Sequence, residues 1–151
     1  MSIRLETSKR SGIRNYQRGE LQWGQVKYLQ DLAKQRPHVQ MRTKPSTIFN
    51  CHGLTFASRR TKVTDSSDIL KILKDDEWQE IPAKDVIPGD IIIYFDNDND
   101  INHSGIVVGL DQLKVPLICS KWGVGCEYIH KVPDVPNNLY GPLTKYYRCI
   151  L

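Results

Sequence analysis

The stretch 86–110 constrains the fold more than any other part of the chain. A turn at Pro88-Gly89-Asp90 leads into an apolar run rich in β-branched residues, and such runs are typical of strands. The polar segment 96–102 (DNDNDIN) then predicts a hairpin loop. Further strands are predicted over 103–110, over 115–122 and, after a final turn, within 140–150. Strands joined by short connections pair antiparallel, so this half of the chain predicts an antiparallel meander.

The first half of the chain predicts helices. Apolar residues recur at helical spacing over about 20–36, which predicts an amphipathic helix that Pro37 terminates. A second helix is predicted from Cys51 to about residue 60, with Asn50 as its N-cap. A third is predicted over 67–73, and loops over 38–49 and 75–84, the latter with at most one short strand. Helices followed by a meander predict an α+β fold, with the helices packed on one side of a small antiparallel sheet.

The 151 residues suit a single domain, which we place at 19–151. Basic residues recur through 1–18, where we predict a flexible basic arm. The net charge of +4 leaves open an anionic partner for this arm, such as nucleic acid or an acidic surface. No recognisable nucleic-acid-binding motif accompanies these charges, so a solvated arm is the simpler interpretation.

The sequence shows no signal for a membrane or for Sec export. Its apolar runs are far shorter than the ~20 residues of a membrane span. The N-terminus is basic and polar, without the apolar core and small-residue cleavage site of a signal peptide. We therefore expect no membrane span, and a protein that is cytoplasmic or exported by a non-Sec route.

The chain has four cysteines, which we expect to be free thiols in a reducing compartment. A zinc site can be imagined from Cys119, Cys126, His130 and Cys149, but the sequence lacks the C-x2-C pair that structural zinc usually uses. The acidic loop 96–102 lacks the Gly and the terminal Glu of a calcium-binding EF-hand. We predict no metal site and no cofactor.

Cys51 and His103 are the candidates for chemistry. Unpaired N–H groups and the dipole at a helix start favour the thiolate, which is the nucleophilic form of cysteine. His103 opens a strand directly after a polar loop, which predicts an accessible imidazole at the edge of the sheet. Such an imidazole can take the thiol proton and later protonate a leaving amine. The ordinary alternatives are a small buried cysteine and an exposed histidine at the end of a loop.

Three motifs in order strengthen the catalytic interpretation. Asn50-Cys51-His52-Gly53-Leu54 comes first, the Pro-Gly-Asp turn and its strand follow, and Asn102-His103-Ser104-Gly105-Ile106 comes last. Together they resemble the NlpC/P60 and CHAP-type cysteine peptidase superfamily over about residues 48–122. The resemblance implies a papain-like fold, with Cys51 as the nucleophile and His103 as the general base. Ser120-Lys121, Gly123, Glu127, His130 and Tyr140-Gly141 also resemble a pattern found in uncharacterised bacterial domains.

The third catalytic residue stays open among three candidates. In the resembled fold it comes from the strand after the histidine strand, where Ser120 is the best-placed polar residue. His130 is the second choice and Glu127 the third. The residues expected to line the substrate pocket or to supply the third member are Asn50, His52, Gly53, Lys121, Trp122, Glu127 and His130.

These residues predict a thiol hydrolase that cleaves an amide bond through a Cys51 thioester. The substrate class stays broad: a peptide, an isopeptide, a murein stem peptide or a side-chain carboxamide, in a bacterial or phage setting. Cell-wall members of the superfamily usually read Asp-Cys-Ser-Gly where this chain reads Asn50-Cys51-His52-Gly53, so murein is not favoured. Two alternatives remain, namely an acyltransferase of the same fold and a catalytically inactive binding module that uses the basic N-terminal region.

Overall fold

A seven-stranded antiparallel sheet organises the protein, whose computed structural model describes residues 1–17, 19–136 and 140–151. The helices are α1 (Trp23–Lys34), α2 (Cys51–Phe56) and α3 (Ser66–Asp75), with a short 3-10 helix at Ala83–Asp85. The strands are β1 (Gln40–Met41), β2 (Trp78–Ile81), β3 (Ile91–Phe95), β4 (Ile101–Leu110), β5 (Pro116–Lys121), β6 (Glu127–Lys131) and β7 (Leu143–Cys149). The predicted α+β class is confirmed. Within the described ranges, no helix has the length and apolar character to cross a membrane.

The predicted meander is confirmed for β3, β4 and β5, which pair consecutively. The sequence analysis missed β6, which follows β5 after a tight turn in which the Trp122 N–H donates to the Cys126 carbonyl at 3.1 Å. Strand β7 does not extend the meander, because it inserts between β3 and β2 and gives the order β1-β6-β5-β4-β3-β7-β2. All five residues of β3 are buried. Such a strand is unsuited to a sheet edge, so β7 covers it.

The two faces of the sheet pack against different helices. On β3, the side chains of Ile92 and Tyr94 join a core cluster with Leu29 of α1. The alternating residues, Ile91 among them, join a second cluster with Ile69 of α3. Successive side chains of a strand point to opposite faces, so α1 and α3 lie on opposite sides of the sheet. The prediction that all helices pack on one side was wrong, because β3 is apolar on both faces and needs cover on both.

Residues 1–17 pack against α3, so the prediction of a flexible arm was wrong for this segment. Ile13 is buried, and the Thr7 hydroxyl donates to the Asp75 carboxylate at 2.6 Å. The Arg14 guanidinium contacts the buried Asp68 carboxylate at 2.9 Å. The segment folds back on itself through a bridge between Glu6 and Gly12. Its polar side chains contact α3, a helix more than fifty residues away in sequence. The predicted arm also included Arg18, which lies outside the described residues.

Candidate active site

The start of α2 has the local structure that the sequence predicts. The Asn50 side chain caps the helix by accepting from the Gly53 N–H at 2.9 Å, and its amide donates to the Val63 carbonyl at 2.8 Å. A Cβ on Gly53 would collide with the Thr61 carbonyl, so only glycine permits this close approach. Asn50 and Gly53 therefore hold the helix start against the following loop rather than line a pocket, and they fix the position of Cys51.

Helix α2 ends at Phe56, earlier than the predicted end near residue 60. Ser58 and Arg59 have φ of 51° and 64°, in the left-handed region that cannot continue a helix. This early turn sends the Arg59 side chain toward Glu127 on β6, where its Nε lies 2.7 Å from the carboxylate. Arg59, which follows the end of α2, thus forms an ion pair with a strand that is distant in sequence.

Helix α2 packs where strands β4 and β5 separate. The paired residues of β4 and β5 extend from Leu110 and Pro116 to Ile106 and Cys119. Among the described residues, the two strands form no pairs beyond Ile106 and Cys119. Beyond that point β4 continues to pair with β3, and β5 with β6. The Ser104 N–H faces the Cys51 sulfur, as do the N–H groups of Cys51 and His52. The thiol therefore lies beside the β4 backbone, next to the residue that follows His103.

Burial raises the pKa of the Cys51 thiol to about 11, and the surrounding N–H groups and Lys121 only partly oppose this. Cys51 is 8% exposed. The expectation that the helix start favours the thiolate was therefore wrong for the free protein. Two turns of helix with little access to water cannot offset the cost of desolvating a charged sulfur.

His103 is buried in the middle of the sheet, with 0% exposure, and not accessible at its edge as the sequence predicted. The first half of β4 pairs with β3, where His103 lies opposite the buried Tyr94. The His103 imidazole stacks on the Tyr140 ring with centroids 3.9 Å apart, and the Tyr94 ring lies 5.3 Å away. Neither ring nitrogen has a hydrogen-bond partner among the described residues.

Burial lowers the pKa of His103 well below its ordinary range, and the nearby imidazoles of His130 and His52 lower it further. The imidazole is therefore neutral near pH 7. A neutral imidazole has one nitrogen with a lone pair and one with a proton. His103 thus carries both a proton acceptor and a proton donor that the described part of the chain leaves unused.

His103 and Cys51 lie 52 positions apart in sequence and share neighbours in the structure. Tyr140, whose ring stacks on His103, also lies within electrostatic range of Cys51. His52, the neighbour of Cys51, lies within electrostatic range of His103. Ser104, the neighbour of His103, presents its N–H to the Cys51 sulfur. These shared neighbours place the two residues in the same region of the protein.

Ser120 and His130, two candidates for the third catalytic residue, bond to each other. The Ser120 hydroxyl lies 2.6 Å from His130 Nε2, and His130 Nδ1 lies 2.7 Å from the Lys131 carbonyl. Because a carbonyl only accepts, Nδ1 carries the proton of this buried imidazole and Nε2 accepts from Ser120. The Ser120 hydroxyl proton is therefore directed at His130 and not at His103.

Glu127, the third candidate, forms an ion-pair cluster. Its carboxylate is 2.9 Å from Arg42 and 2.7 Å from Arg59, and the Cys119 thiol donates to it at 3.5 Å. Glu127 is fully buried, whereas both arginines are nearly half exposed. These contacts use the carboxylate oxygens and join α2 and β1 to β6, so Glu127 has no contact with His103.

His52 begins a hydrogen-bonded chain that returns to Cys51. Its Nδ1 lies 2.8 Å from the Ser104 hydroxyl, which donates to Thr55 at 2.9 Å. The Thr55 hydroxyl donates to the Cys51 carbonyl at 2.9 Å. Since each hydroxyl has one proton, His52 Nδ1–H must donate to Ser104. Burial lowers the pKa of His52 to about 4, so this histidine orients the start of α2 on β4 as a neutral group.

Lys121 and Trp122, expected in the substrate pocket, are fully buried. The Lys121 ammonium donates to the Ser46 and Gly123 carbonyls, each at 2.7 Å, and burial lowers its pKa to about 8. Trp122 packs against Tyr128 with ring centroids 4.4 Å apart. Its indole N–H has no partner among the described residues. The Trp122 ring lies 6.5 Å from that of Tyr140, centroid to centroid, and Lys121 anchors loops.

The sequence analysis gave no role to the aromatic residues around His103. Tyr94 was part of a predicted strand, and Tyr140 was noted only within a Tyr-Gly pattern. A tyrosine that follows a β-branched run gives no local sign that it will contact a histidine. Only the pairing of Tyr94 with His103 in adjacent strands identifies it.

The histidine, cysteine and carboxylate side chains of the described residues are too dispersed to form a metal site. Among the described residues, no group of three or more His, Cys, Asp or Glu side chains could hold a metal ion. All four cysteines have free thiols, and only Cys149 is exposed. Cys149 is thus an internal reference for the reactivity of Cys51.

Comparison with known proteins gave no relative on which to base an assignment. No protein-family model, no curated protein and no solved structure matches the chain.

Proposed function

We propose that the chain is a thiol hydrolase that cleaves an amide bond, with Cys51 as nucleophile and His103 as general base. The buried His103 imidazole carries this proposal, since neither nitrogen has a partner among the described residues and the next residue, Ser104, presents its N–H to the Cys51 sulfur. A buried polar group without a partner costs about 1–3 kcal/mol. Proteins that retain such a cost commonly do so at functional sites.

The two pKa shifts define the ground state as a neutral thiol beside a neutral imidazole. The pKa of Cys51 is raised to about 11 and that of His103 lies below its ordinary range. Proton transfer then accompanies attack: the thiol proton moves to His103 as the sulfur bonds to the carbonyl carbon and the carbonyl electrons move to oxygen. The N–H groups of Cys51 and His52 face the sulfur and can stabilise that oxygen.

The remaining steps return the site to its starting state. The C–N bond breaks, His103 gives its proton to the leaving nitrogen, and a Cys51 thioester remains. His103 then takes a proton from the water that attacks the thioester. The acid product departs and the sulfur regains a proton, so one water is consumed for each amide cleaved. The substrate is a peptide, an isopeptide, a murein stem peptide or a side-chain carboxamide.

Membership of the NlpC/P60 superfamily, with its papain-like fold, belongs to the same proposal. It is supported by the order of elements: a cysteine at the start of α2, a histidine on β4 and an adjacent antiparallel strand β5. Binding through the basic N-terminal region has less support, because Arg4 pairs with Glu6 and Arg14 with Asp65 and Asp68.

Acylation by p-nitrophenyl acetate tests the proposal without knowledge of the natural substrate. We expect a thioester on Cys51, mapped by mass spectrometry, to form faster than on the exposed Cys149. His103→Ala should slow it by about 10²–10⁴-fold, the usual contribution of a general base. The matched control is His38→Ala, which removes an exposed histidine and should leave the rate unchanged. The proposal is wrong if Cys51 reacts no faster than Cys149, or if His103→Ala has no effect.

A further inference from the structure

The base of a cysteine or serine hydrolase needs a group that holds its imidazole in one orientation. A hydrogen-bond acceptor on one ring nitrogen normally does this. Here the three polar candidates have other partners: Ser120 bonds to His130, and Glu127 to two arginines. Among the described residues nothing accepts from His103. The imidazole must therefore be oriented in another way.

Two tyrosine rings are the contacts that can orient it. Tyr140 stacks on the imidazole with centroids 3.9 Å apart and planes 21° from parallel. Tyr94 approaches with centroids 5.3 Å apart at 53°. A ring stacked on one face prevents the imidazole from rotating about χ2, because rotation would drive its edge into the neighbouring ring. Both nitrogens lie in the ring plane, so stacking leaves them available for proton transfer.

Both tyrosines are themselves held in place. The Tyr94 hydroxyl donates to the Val132 carbonyl at 2.7 Å. The Tyr140 N–H donates to the Pro136 carbonyl at 3.0 Å, and the ring is 9% exposed. Gly141, which follows, has φ of 86°, and a Cβ there would collide with the Phe95 carbonyl. The backbone therefore passes close to the end of β3 directly after Tyr140, which limits how far the ring can shift.

We propose that Tyr140 is the positioning residue of the base, and that its ring takes the place of the polar third member of the triad. This inference rests on the proposed function of Cys51 and His103. Burial lowers the pKa of His103, and a tyrosine ring, unlike a carboxylate, adds no negative charge that would oppose this by stabilising an imidazolium. The base is then oriented but remains neutral until the thiol proton arrives.

The proposal is tested by comparing Tyr140→Leu, which removes the ring, with Tyr140→Phe, which keeps it. We expect Tyr140→Leu to lower the rate constant for Cys51 acylation by p-nitrophenyl acetate about 10²-fold, with little change in KM, since misplaced reacting groups cost rates of that size. Tyr140→Phe should restore most of the rate. The control is Tyr146→Leu, a buried tyrosine of the same core cluster, which should leave the rate unchanged.

NMR of protein labelled at histidine Cε1 reports the stacking of Tyr140 on His103 directly. It therefore distinguishes loss of the stacking from a general loss of stability. The four histidines can be assigned by substitution. His103 should show an upfield ring-current shift of its Hε1 that Tyr140→Phe retains and Tyr140→Leu loses. Tyr146→Leu should keep the shift even where it lowers the thermal midpoint.

The results separate failure of this inference from failure of the proposed function. If His103→Ala slows acylation but Tyr140→Leu does not, while the ring-current shift is lost, the positioning role is wrong and the function stands. If Tyr146→Leu slows acylation as much as Tyr140→Leu, the effect is general destabilisation and the positioning role is again wrong. If His103→Ala has no effect, the proposed function fails and the inference fails with it.

Discussion

Two buried polar clusters of the same sheet differ in how their polar atoms are satisfied. In the first, the Glu127 carboxylate is bound by Arg42, Arg59 and the Cys119 thiol. In the second, His103 has aromatic contacts, and neither of its nitrogens has a partner in the described part of the chain. Both groups are fully buried. Burial alone therefore does not distinguish them.

The difference indicates two roles. A buried charge that is fully bonded resists change, since removing any partner leaves an unpaired charge in a poor solvent. A buried imidazole that lacks partners lowers stability and keeps its lone pair for other chemistry. We interpret the Glu127 cluster as a structural link from α2 and β1 to β6, and the His103 cluster as the site where a substrate completes the bonding.

Replacing His103 with leucine should have the largest effect. It should lower activity while leaving stability unchanged or slightly higher. Cys51 acylation should fall by about 10²–10⁴-fold, because the base is lost. The free energy of unfolding should stay unchanged or rise by about 1 kcal/mol, because an unpartnered polar group is replaced by an apolar side chain of similar volume. Urea denaturation and the ester assay measure both quantities. A loss of stability above about 2 kcal/mol would contradict the claim that His103 is unsatisfied in the free protein.

Replacing Arg59 with methionine should show the reverse pattern. We expect a loss of about 3 kcal/mol of stability, because the buried Glu127 carboxylate loses its bidentate partner and keeps Arg42 and the weak Cys119 donor. Cys51 acylation should change by less than about threefold. The control is Arg60→Met, because the Arg60 guanidinium donates to the Ala57 backbone carbonyl rather than to a buried carboxylate. Equal destabilisation by the two substitutions would show that the ion pair is unimportant.

The pH dependence of stability should show a smaller effect, which comes from the buried histidine His52 at the start of α2. Burial lowers the pKa of His52 to about 4, so the unfolded chain binds a proton below pH 6.5 that the folded protein does not. Stability is then complete above pH 6.5 and falls as the pH drops toward 4, by about 2–3 kcal/mol for this one group.

Urea denaturation of wild type and His52→Asn at pH 7, 5.5 and 4 measures this contribution. The variant keeps an N–H donor for Ser104 and lacks the titrating imidazole, so its stability should fall less steeply with acid. Because His103 titrates in the same direction, the wild type should lose more stability than His52 alone explains. Parallel pH profiles for the two proteins would show that His52 is not buried as a neutral group.

The sequence predicted the local part of the site well. Asn50 was expected to cap the helix that starts at Cys51, and it does so, because capping involves residues within three positions of each other. The Pro-Gly-Asp turn and the strands after it were also predicted, since periodicity and turn chemistry are local properties. Cys51 and His103 were singled out from the same local motifs.

The partners of those residues could not be predicted, because they come from strand register. Ser120 lies opposite Tyr128, and Ile118 lies opposite His130. His130 is therefore a diagonal neighbour of Ser120 on the same face, within reach of its hydroxyl. No sequence pattern near Ser120 contains this information, since a shift of one residue in the pairing would place His130 on the other face.

By itself, then, the sequence determined the start of α2 at Cys51, the order of the central meander and the two residues most suited to chemistry. Tertiary structure decided that β7 covers β3, that helices pack on both faces, and that His103 is buried under Tyr140 rather than exposed at an edge. The physical reason is the range of the interactions. Caps, turns and periodicity act over a few residues, whereas burial and hydrogen-bond partners depend on segments that meet only when the sheet is complete.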